Sequence, residues 1–429
     1  MSVVLLRAGL IYTVANVLSA GVPLLLLPIL TRALSPAEYG EVVGFFILVS
    51  IAGSVAGLGV HSAVAVRWFS RREQDFPVFV GSAVWLAVLS TVVCAALLVA
   101  ASVPLASRFG VPAADWPWAA VLAGATVIIG VRATLWQSQA KALRSALLQV
   151  IHAGTNVSLS LLAVFAFSLG AQGRIAGATL AGLCCAVAAV FLLRRSGDMH
   201  WATRRHDGAA LLRFGLPLIP HSLAGAVLVS ADRFSVAGVL GQEALGIYGA
   251  AAQLGMVMNV LGDALVKALT PWLYRQLAAS SQFGALRVVA LTYLLVPLWL
   301  IIALLLWLVI SLAAPLLLGA RYVAALDLLP MFLLGGAMAS IYLNIAGLFF
   351  FTSKTEWLSG ATALSSITAV LVAPALVAAY GLRGAALSYL AIQTLQLLLS
   401  WLLSTRIRPM PWKHPRLAAR LLVRGWSRS

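Results

Sequence analysis

Three basic residues of this chain stand inside long apolar runs, where ionisable side chains are rare. They are Arg132, Arg233 and Lys267. A charge near the centre of a bilayer costs at least about 2.5–3.5 kcal/mol on insertion scales, so such a residue usually faces a partner or a water-filled cavity. A cation in a cavity can receive an anionic group such as a phosphate. These residues are therefore the first candidates for substrate binding.

Two acidic residues and one histidine lie in the same apolar runs. Asp232 precedes Arg233, and neighbouring residues point in different directions on a helix, so at least one of them should meet another helix or the cavity. Asp263 and Lys267 are four residues apart on one helix face, which favours either a self-satisfied pair or a role in the cavity. His221 could relay a proton or be structural. Asp232, Asp263 and His221 are the coupling or gating candidates.

Arg132 is predicted in the inner half of the bilayer, about 15 residues into its helix at 1.5 Å per residue. No acidic residue lies within helical reach on that helix. Three interpretations stay open: contact with an anion in a cavity, snorkelling of the long side chain to the interface, and a structural pair with another helix.

The composition indicates the elements that must hold these residues. Hydrophobic residues make up 62% of the 429-residue chain and charged residues 10%, and the mean hydropathy is +1.01. An ordinary soluble domain has roughly 45–50% apolar and 25% charged residues, so a soluble globular enzyme is excluded. The net charge of +17 is attributed to cytoplasmic loops, and no nucleic-acid partner is expected.

Hydropathy predicts an all-α polytopic membrane protein with 12 transmembrane helices, because each apolar stretch reaches the roughly 20 residues that a span needs. The predicted spans are 8–31, 39–63, 77–103, 117–138, 146–169, 174–194, 213–238, 243–270, 286–313, 324–351, 357–379 and 384–404.

The connections between these spans alternate in charge. The two termini and the even-numbered loops hold 21 basic residues, whereas the opposite connections hold five, namely Arg32, Arg108, Arg174, Arg321 and Arg383. Since cytoplasmic loops carry the excess of basic residues, both termini are predicted in the cytoplasm.

An internal repeat divides the chain. A shift of 206 residues superposes LLRAGL at Leu5 on LLRFGL at Leu211 and places Gly40 on Gly246. Two lobes of six helices, related by a pseudo-twofold axis along the membrane normal, are typical of transporters. The predicted domains are an N-terminal lobe (1–195), a cytoplasmic linker (196–212), a C-terminal lobe (213–405) and a basic cytoplasmic tail (406–429).

Several kinds of chemistry are not expected. The chain has no GxxxxGK[ST] phosphate-binding loop and no cysteine or histidine cluster at metal-ligand spacing, so neither a metal nor a cofactor is predicted. The connections are too short for a catalytic loop, so the chain is not expected to be an enzyme. In the tail, Arg416, Arg420 and Arg424 are four residues apart, which favours docking on lipid or on partner proteins, or else a disordered topology signal.

Two stretches resemble a known family. LLPILTRALSPAEYGEV at 26–42 and FGLPLIPHSLAGAVLVSADRF at 214–234, continued by LGQEALGIYGAAAQLG at 240–255, are similar to the first and seventh helices, with their outer loops, of Wzx-type lipid-linked oligosaccharide flippases. This family belongs to the multidrug/oligosaccharidyl-lipid/polysaccharide exporter superfamily, which also contains the multidrug and toxic compound extrusion (MATE) transporters.

The resemblance implies a MATE-like fold and a cavity that opens alternately to the two sides of the membrane. It implies that undecaprenyl-pyrophosphate-linked oligosaccharide units for O-antigen, lipopolysaccharide, capsule or exopolysaccharide are moved to the periplasmic leaflet. Basic cavity residues of the family are thought to receive the pyrophosphate and sugar head, and Arg7, Arg132, Arg233 and Lys267 match by location. Membrane lipid and the polysaccharide polymerase with other biosynthesis proteins are the implied partners.

Two alternatives stay open at this point. A cation-coupled, MATE-like exporter of small molecules has the same plan, although the first helix here contains no acidic residue. A membrane-embedded polysaccharide polymerase or ligase would also be apolar, but it needs catalytic residues on a sizeable outer loop.

Overall fold

The structure, a computed structural model, describes residues 21–70, 75–279 and 282–412, and these form helices without any strand. Ten of the helices are long and apolar enough to cross a membrane. The prediction of an all-α polytopic membrane protein is confirmed. The predicted positions of Arg7 and of the tail after Trp412 lie outside the described residues.

The chain divides into two compact units, Met1–Gly249 and Ala250–Ser429. The helices of the first unit are α1 (Gly21–Ala33), α2 (Pro36–Ala56), α3 (Val60–Phe69), α4 (Phe76–Phe109), α5 (Trp116–Ser138), α6 (Ala142–Leu161), α7 (Gly170–Arg195), α8 (Arg205–Gly215), α9 (Leu218–Leu240) and the beginning of α10 (Gln242–Ala278). A π-helical turn, Leu162–Ala166, continues α6.

The second unit contains the rest of α10 and the helices α11 (Gln282–Leu317), α12 (Leu329–Phe351) and α13 (Thr355–Ile407), with a 3-10 segment at Ala320–Asp327. Its longest helix, α13, holds two predicted spans. Gly381 separates them with a positive φ of 59° and a non-helical ψ of −140°, a backbone conformation that residues with a Cβ rarely adopt. The predicted boundary between 379 and 384 therefore falls at this glycine.

The beginning of α2 is fixed by a capping box. The Glu38 N–H donates to Ser35 Oγ at 3.3 Å, and the Ser35 N–H donates to Glu38 Oε2 at 2.8 Å. Pro36 follows the cap at the first helical position, where its missing N–H removes no helical hydrogen bond. This first turn of α2 is thereby held rigidly where the chain leaves α1.

The predicted start of the sixth span is wrong by four residues. The sequence placed Arg174 in a connection and began the span there, but α7 begins at Gly170 and Arg174 is buried on it. The physical reason is that hydropathy counts an arginine as exposed to water, whereas this side chain has polar partners on α6.

Candidate functional site

Arg132 lies in a buried ion pair at one end of α5. Its side chain is 2% exposed, and Nη1 is 2.7 Å from Asp198 Oδ2 in the segment that follows α7. The guanidinium carbon is also 4.0 Å from the centre of the Trp136 ring. Gln139 and Ser196 donate further hydrogen bonds to the Asp198 carboxylate at 3.0 and 2.5 Å. The Asp198 carboxylate therefore accepts hydrogen bonds from Arg132 on α5, from Gln139 just after α5 and from Ser196 in its own segment.

This geometry corresponds to the third interpretation of Arg132, a structural pair with another part of the chain. In this structure the guanidinium is buried and paired with the Asp198 carboxylate. Because Asp198 belongs to the segment after α7, the pair attaches that segment to α5.

Asp232 and Arg233 have different surroundings on α9. The Asp232 carboxylate is buried, and Oδ2 accepts a hydrogen bond of 2.5 Å from the Tyr248 hydroxyl on α10. Oδ1 accepts the backbone N–H of Arg233 at 2.8 Å. The Arg233 side chain is half-buried, and its Nη1 donates to the Val229 carbonyl one turn earlier. Asp232 thus meets another helix, and the Arg233 guanidinium is held against its own helix.

We expect Tyr248→Phe to lower the free energy of unfolding by about 1–3 kcal/mol, because it leaves a buried carboxylate oxygen without its hydroxyl donor. Thermal unfolding of the purified chain in detergent measures the effect. Tyr380→Phe is the matched control, since the Tyr380 ring is 64% exposed. Equal stability of the two variants would show that the hydroxyl contributes nothing to the packing of α9 on α10.

Lys267 and Asp263 form the predicted i,i+4 pair on α10. Nζ lies 2.6 Å from Oδ2, and the side chains are about half exposed, so the two side chains pair directly with each other. His221 is exposed near the beginning of α9. Among the basic candidates that the structure describes, Arg233 is the one that no salt bridge joins to a carboxylate.

Arg174 is a buried cation that the sequence did not single out. Its Nη1 donates to Asn156 Oδ1 and to Ser160 Oγ on α6, both at 2.8 Å, and its guanidinium carbon lies 4.8 Å from the centre of the Phe46 ring. The i,i+4 spacing of Asn156 and Ser160 on α6 was the available signal. These contacts connect α7 to α6 and α2.

Gln172 connects the same turn of α7 to two acidic residues. Its side-chain amide nitrogen donates at 2.7 Å both to Glu41 Oε1 on α2 and to Asp115 Oδ2 just before α5. In the part of the chain that the structure describes, no group of three or more His, Cys, Asp or Glu residues could hold a metal ion. The Gln172 side chain therefore joins α7 to α2 and to the turn that precedes α5.

The repeat-related glycines lie at the crossing of α2 with the first turns of α10. A Cβ on Gly40 would be 2.0 Å from the Gln242 carbonyl oxygen, and a Cβ on Gly246 would be 1.9 Å from the Pro36 carbonyl oxygen. The two contacts are equivalent under the 206-residue repeat, because Gly40 corresponds to Gly246 and Pro36 corresponds to Gln242. The crossing is therefore reciprocal, as expected for a contact on a local twofold axis, and it has room only for glycine.

One helical turn further along the crossing, two more repeat-related residues are in close contact. A Cβ on Gly249 would lie 2.5 Å from Cγ2 of Val43, and these two positions are also 206 residues apart. Close approach of two helix backbones through small residues is the usual way in which transmembrane helices pack.

Comparison with known proteins identifies the family. The family described as "Polysaccharide biosynthesis protein" matches residues 5–276, more than half of the chain. The chain belongs to the polysaccharide biosynthesis protein family. The matched region includes the glycine crossing and every ionisable site candidate described above.

Two relatives of this chain come from Haemophilus influenzae. Protein 1 of the Lsg locus is 26% identical over 370 residues, which cover 84% of this chain and 88% of the relative. An uncharacterized membrane protein is 23% identical over 373 residues, with 85% and 88% covered. Both therefore match nearly the whole length of this family member.

Solved structures show the fold of the family member. A multidrug resistance MATE family transporter of the MOP superfamily, in its inward-facing conformation, superposes with a TM-score of 0.62 at 15% identity, covering 92% of this chain and 94% of that one. A MOP superfamily transporter from Pyrococcus furiosus gives 0.60 at 15% identity, with 94% and 95% covered. The expected MATE-like fold is confirmed, and the chain is a multi-pass membrane protein.

Proposed function

We propose that this protein is a flippase that moves undecaprenyl-pyrophosphate-linked oligosaccharide units from the cytoplasmic to the periplasmic leaflet by alternating access, for O-antigen, capsule or exopolysaccharide synthesis. The observation that supports it most directly is the family match over residues 5–276, which associates a transporter fold with polysaccharide biosynthesis. The protein is not an enzyme in this proposal.

The physical requirement of such a reaction agrees with the proposal. A pyrophosphate head cannot cross hydrocarbon unaided, so the protein must supply a positive, hydrated surface while the prenyl tail stays in lipid. Arg233 is the described candidate that fits best, because its half-buried charge lies on a membrane-spanning helix and no carboxylate within the described residues forms a salt bridge with it. Arg132 and Lys267 fit less well, because each is paired with a carboxylate.

The proposal is tested by flipping of a fluorescent undecaprenyl-pyrophosphate oligosaccharide in liposomes that contain the purified protein. We expect protein-dependent appearance of the sugar on the far leaflet, and a decrease of about tenfold for Arg233→Gln, the loss expected when one charged hydrogen-bond donor to a phosphate is removed. Arg321→Gln is the matched control, since Arg321 is exposed in the 3-10 segment and should leave flipping unchanged.

Two results would contradict the proposal in different ways. Flipping that Arg233→Gln leaves intact would exclude this anion site but retain the flippase. Absence of flipping, together with export of a cationic dye against a proton or sodium gradient, would favour the second candidate function, a small-molecule exporter. The MATE fold and the buried Asp232 carboxylate support that second candidate.

The proposed function also implies a membrane, an orientation and partner proteins. The protein is proposed to lie in the bacterial inner membrane with both termini in the cytoplasm, following the charge asymmetry of its loops. The two six-helix lobes, 1–195 and 213–405, are proposed as the moving bodies. Polysaccharide polymerase and other biosynthesis proteins are the proposed partners.

A further inference from the structure

A groove of about 380 Å³ lies on the surface of the first unit, between α4, α5 and α7. Its floor is made by small residues, among them Gly124, Ala125 and Ala186. Its rim includes Val92 and Val187, whose side chains are 60% and 69% exposed. Since all three helices are membrane spans, this exposed apolar rim faces lipid. The volume is within the range of small-molecule sites.

An aromatic residue closes one end of this groove. Trp201 lines it, and the Trp201 ring centre is 5.9 Å from that of Trp85 on α4. The guanidinium carbon of Arg194, in the last turn of α7, lies 5.3 Å from the centre of the Trp201 ring. Tryptophan at the end of a membrane span is typical of the interface with the headgroups. The groove therefore ends at headgroup level, beside a cation.

The position of Trp201 is determined by the backbone around it. The His200 N–H donates to the Pro77 carbonyl at 2.9 Å, and the Arg204 N–H donates to Ser82 Oγ at 3.3 Å. A Cβ on Gly81 would lie 1.8 Å from the His200 carbonyl oxygen, so the segment is in direct contact with α4. The closed end of the groove is thus built by specific contacts rather than by a loosely placed loop.

Charge indicates which molecule fits. The closed end has Arg194 at the end of α7 and lies on the predicted cytoplasmic side, where the membrane leaflet is rich in anionic lipids. An apolar groove that ends at a tryptophan and an arginine complements a lipid with an acyl chain and a phosphate headgroup. A neutral lipid has no phosphate for Arg194, and the headgroup cation of a zwitterionic phospholipid offsets the attraction between its phosphate and the arginine.

We propose that this groove binds one acyl chain of an anionic phospholipid, with the phosphate beside Arg194 and Trp201. This lipid stays associated with the first unit, so the inference does not depend on the proposed function. Binding of this lipid attaches the segment after α7, which contains Trp201, to the membrane leaflet in which the lipid lies.

The test uses the purified full chain in phosphatidylcholine vesicles that contain phosphatidylglycerol with a diazirine in its acyl chain. After irradiation, labelled positions are found by peptide mass spectrometry. We expect labelling concentrated on the groove residues of α4, α5 and α7. Val187→Trp and Val92→Trp, which fill the rim, should each lower that labelling several-fold, whereas Val103→Trp, at an 84% exposed position of α4 outside the groove, should not.

A second arm tests the headgroup. Arg194→Gln should decrease labelling by phosphatidylglycerol by about fivefold, the effect of one basic residue near an anionic membrane surface, and Arg195→Gln is the matched control. Equal labelling by a photoreactive phosphatidylcholine, or equal effects of the three tryptophan variants, would overturn the proposal in favour of bulk lipid. Displacement by undecaprenyl pyrophosphate, without displacement by unlabelled phosphatidylglycerol, would overturn the assigned occupant.

Discussion

Replacing Gly246 by alanine is expected to lower the free energy of unfolding by about 3 kcal/mol, the upper part of the range for overpacking a close contact. The new methyl group would lie 1.9 Å from the Pro36 carbonyl oxygen and 3.0 Å from the Gly40 backbone nitrogen. Backbone atoms cannot turn away as a flexible side chain can, so α2 and α10 must separate at their crossing. Thermal unfolding in detergent measures this loss.

Gly154→Ala is the control for this substitution. It adds the same methyl group in the interior of α6, where nothing beyond the adjoining residues and backbone of α6 itself lies within 4 Å of the Cβ position. Alanine is favoured over glycine in a helix by about 1 kcal/mol, so this variant should be equal to the parent or slightly more stable. A similar loss in both variants would show that the crossing is not the cause.

Because the crossing is reciprocal, the two glycines should be equally sensitive to substitution. Gly40→Ala should cost about as much as Gly246→Ala, because its Cβ meets the equivalent carbonyl, that of Gln242, at 2.0 Å. The double variant should cost less than the sum of the two, since one separation of the helices relieves both overlaps. Additive losses would contradict a single shared contact.

The same variants connect the crossing to transport. If the proposed alternating access requires α2 and α10 to pack closely at this contact, Gly40→Ala and Gly246→Ala should both decrease flipping in liposomes. The decrease should be larger than the fraction of protein that each substitution unfolds. The first turn of α2 is held by the Ser35 and Glu38 capping box, so the helix start cannot unwind to make room. Normal flipping by folded Gly246→Ala protein would mean that the crossing is only structural.

Hydropathy predicted the membrane spans well for a physical reason. A window average detects the length of apolar sequence that a bilayer requires, and the structure has α5 at Trp116–Ser138 where the sequence predicted 117–138. The average fails where a charge is buried among polar partners. Arg174 was assigned to a loop because its hydrogen bonds to Asn156 and Ser160 come from a neighbouring helix.

The site residues were predictable only in part. Arg132, Asp232 and Arg233 were found because a charge within an apolar run is unusual, whatever its partner. The partner itself was not predictable, because Asp198 is 66 residues from Arg132 along the chain. Likewise, the repeat showed that Gly40 and Gly246 are equivalent, but equivalence alone does not indicate that the two positions touch.

Asp198→Ala is expected to be among the most damaging substitutions in the first unit, with a loss of about 3–5 kcal/mol in the free energy of unfolding. It leaves the Arg132 guanidinium buried without its carboxylate, with 2% of the side chain exposed. Gln139 and Ser196 lose their shared acceptor as well. Thermal and denaturant unfolding of the purified chain measure the loss.

A more exposed ion pair of the same unit provides the control. Asp75 pairs with Arg204, but both side chains are about two-fifths exposed, so Asp75→Ala should destabilise the chain far less than Asp198→Ala. Replacing both partners of the buried pair, as Arg132→Leu with Asp198→Ala, should restore much of the stability, because no unpaired charge is left inside. If Asp198→Ala is no worse than Asp75→Ala, Arg132 reaches water or another anion when its partner is gone, and its role as a substrate-binding cation becomes the better explanation.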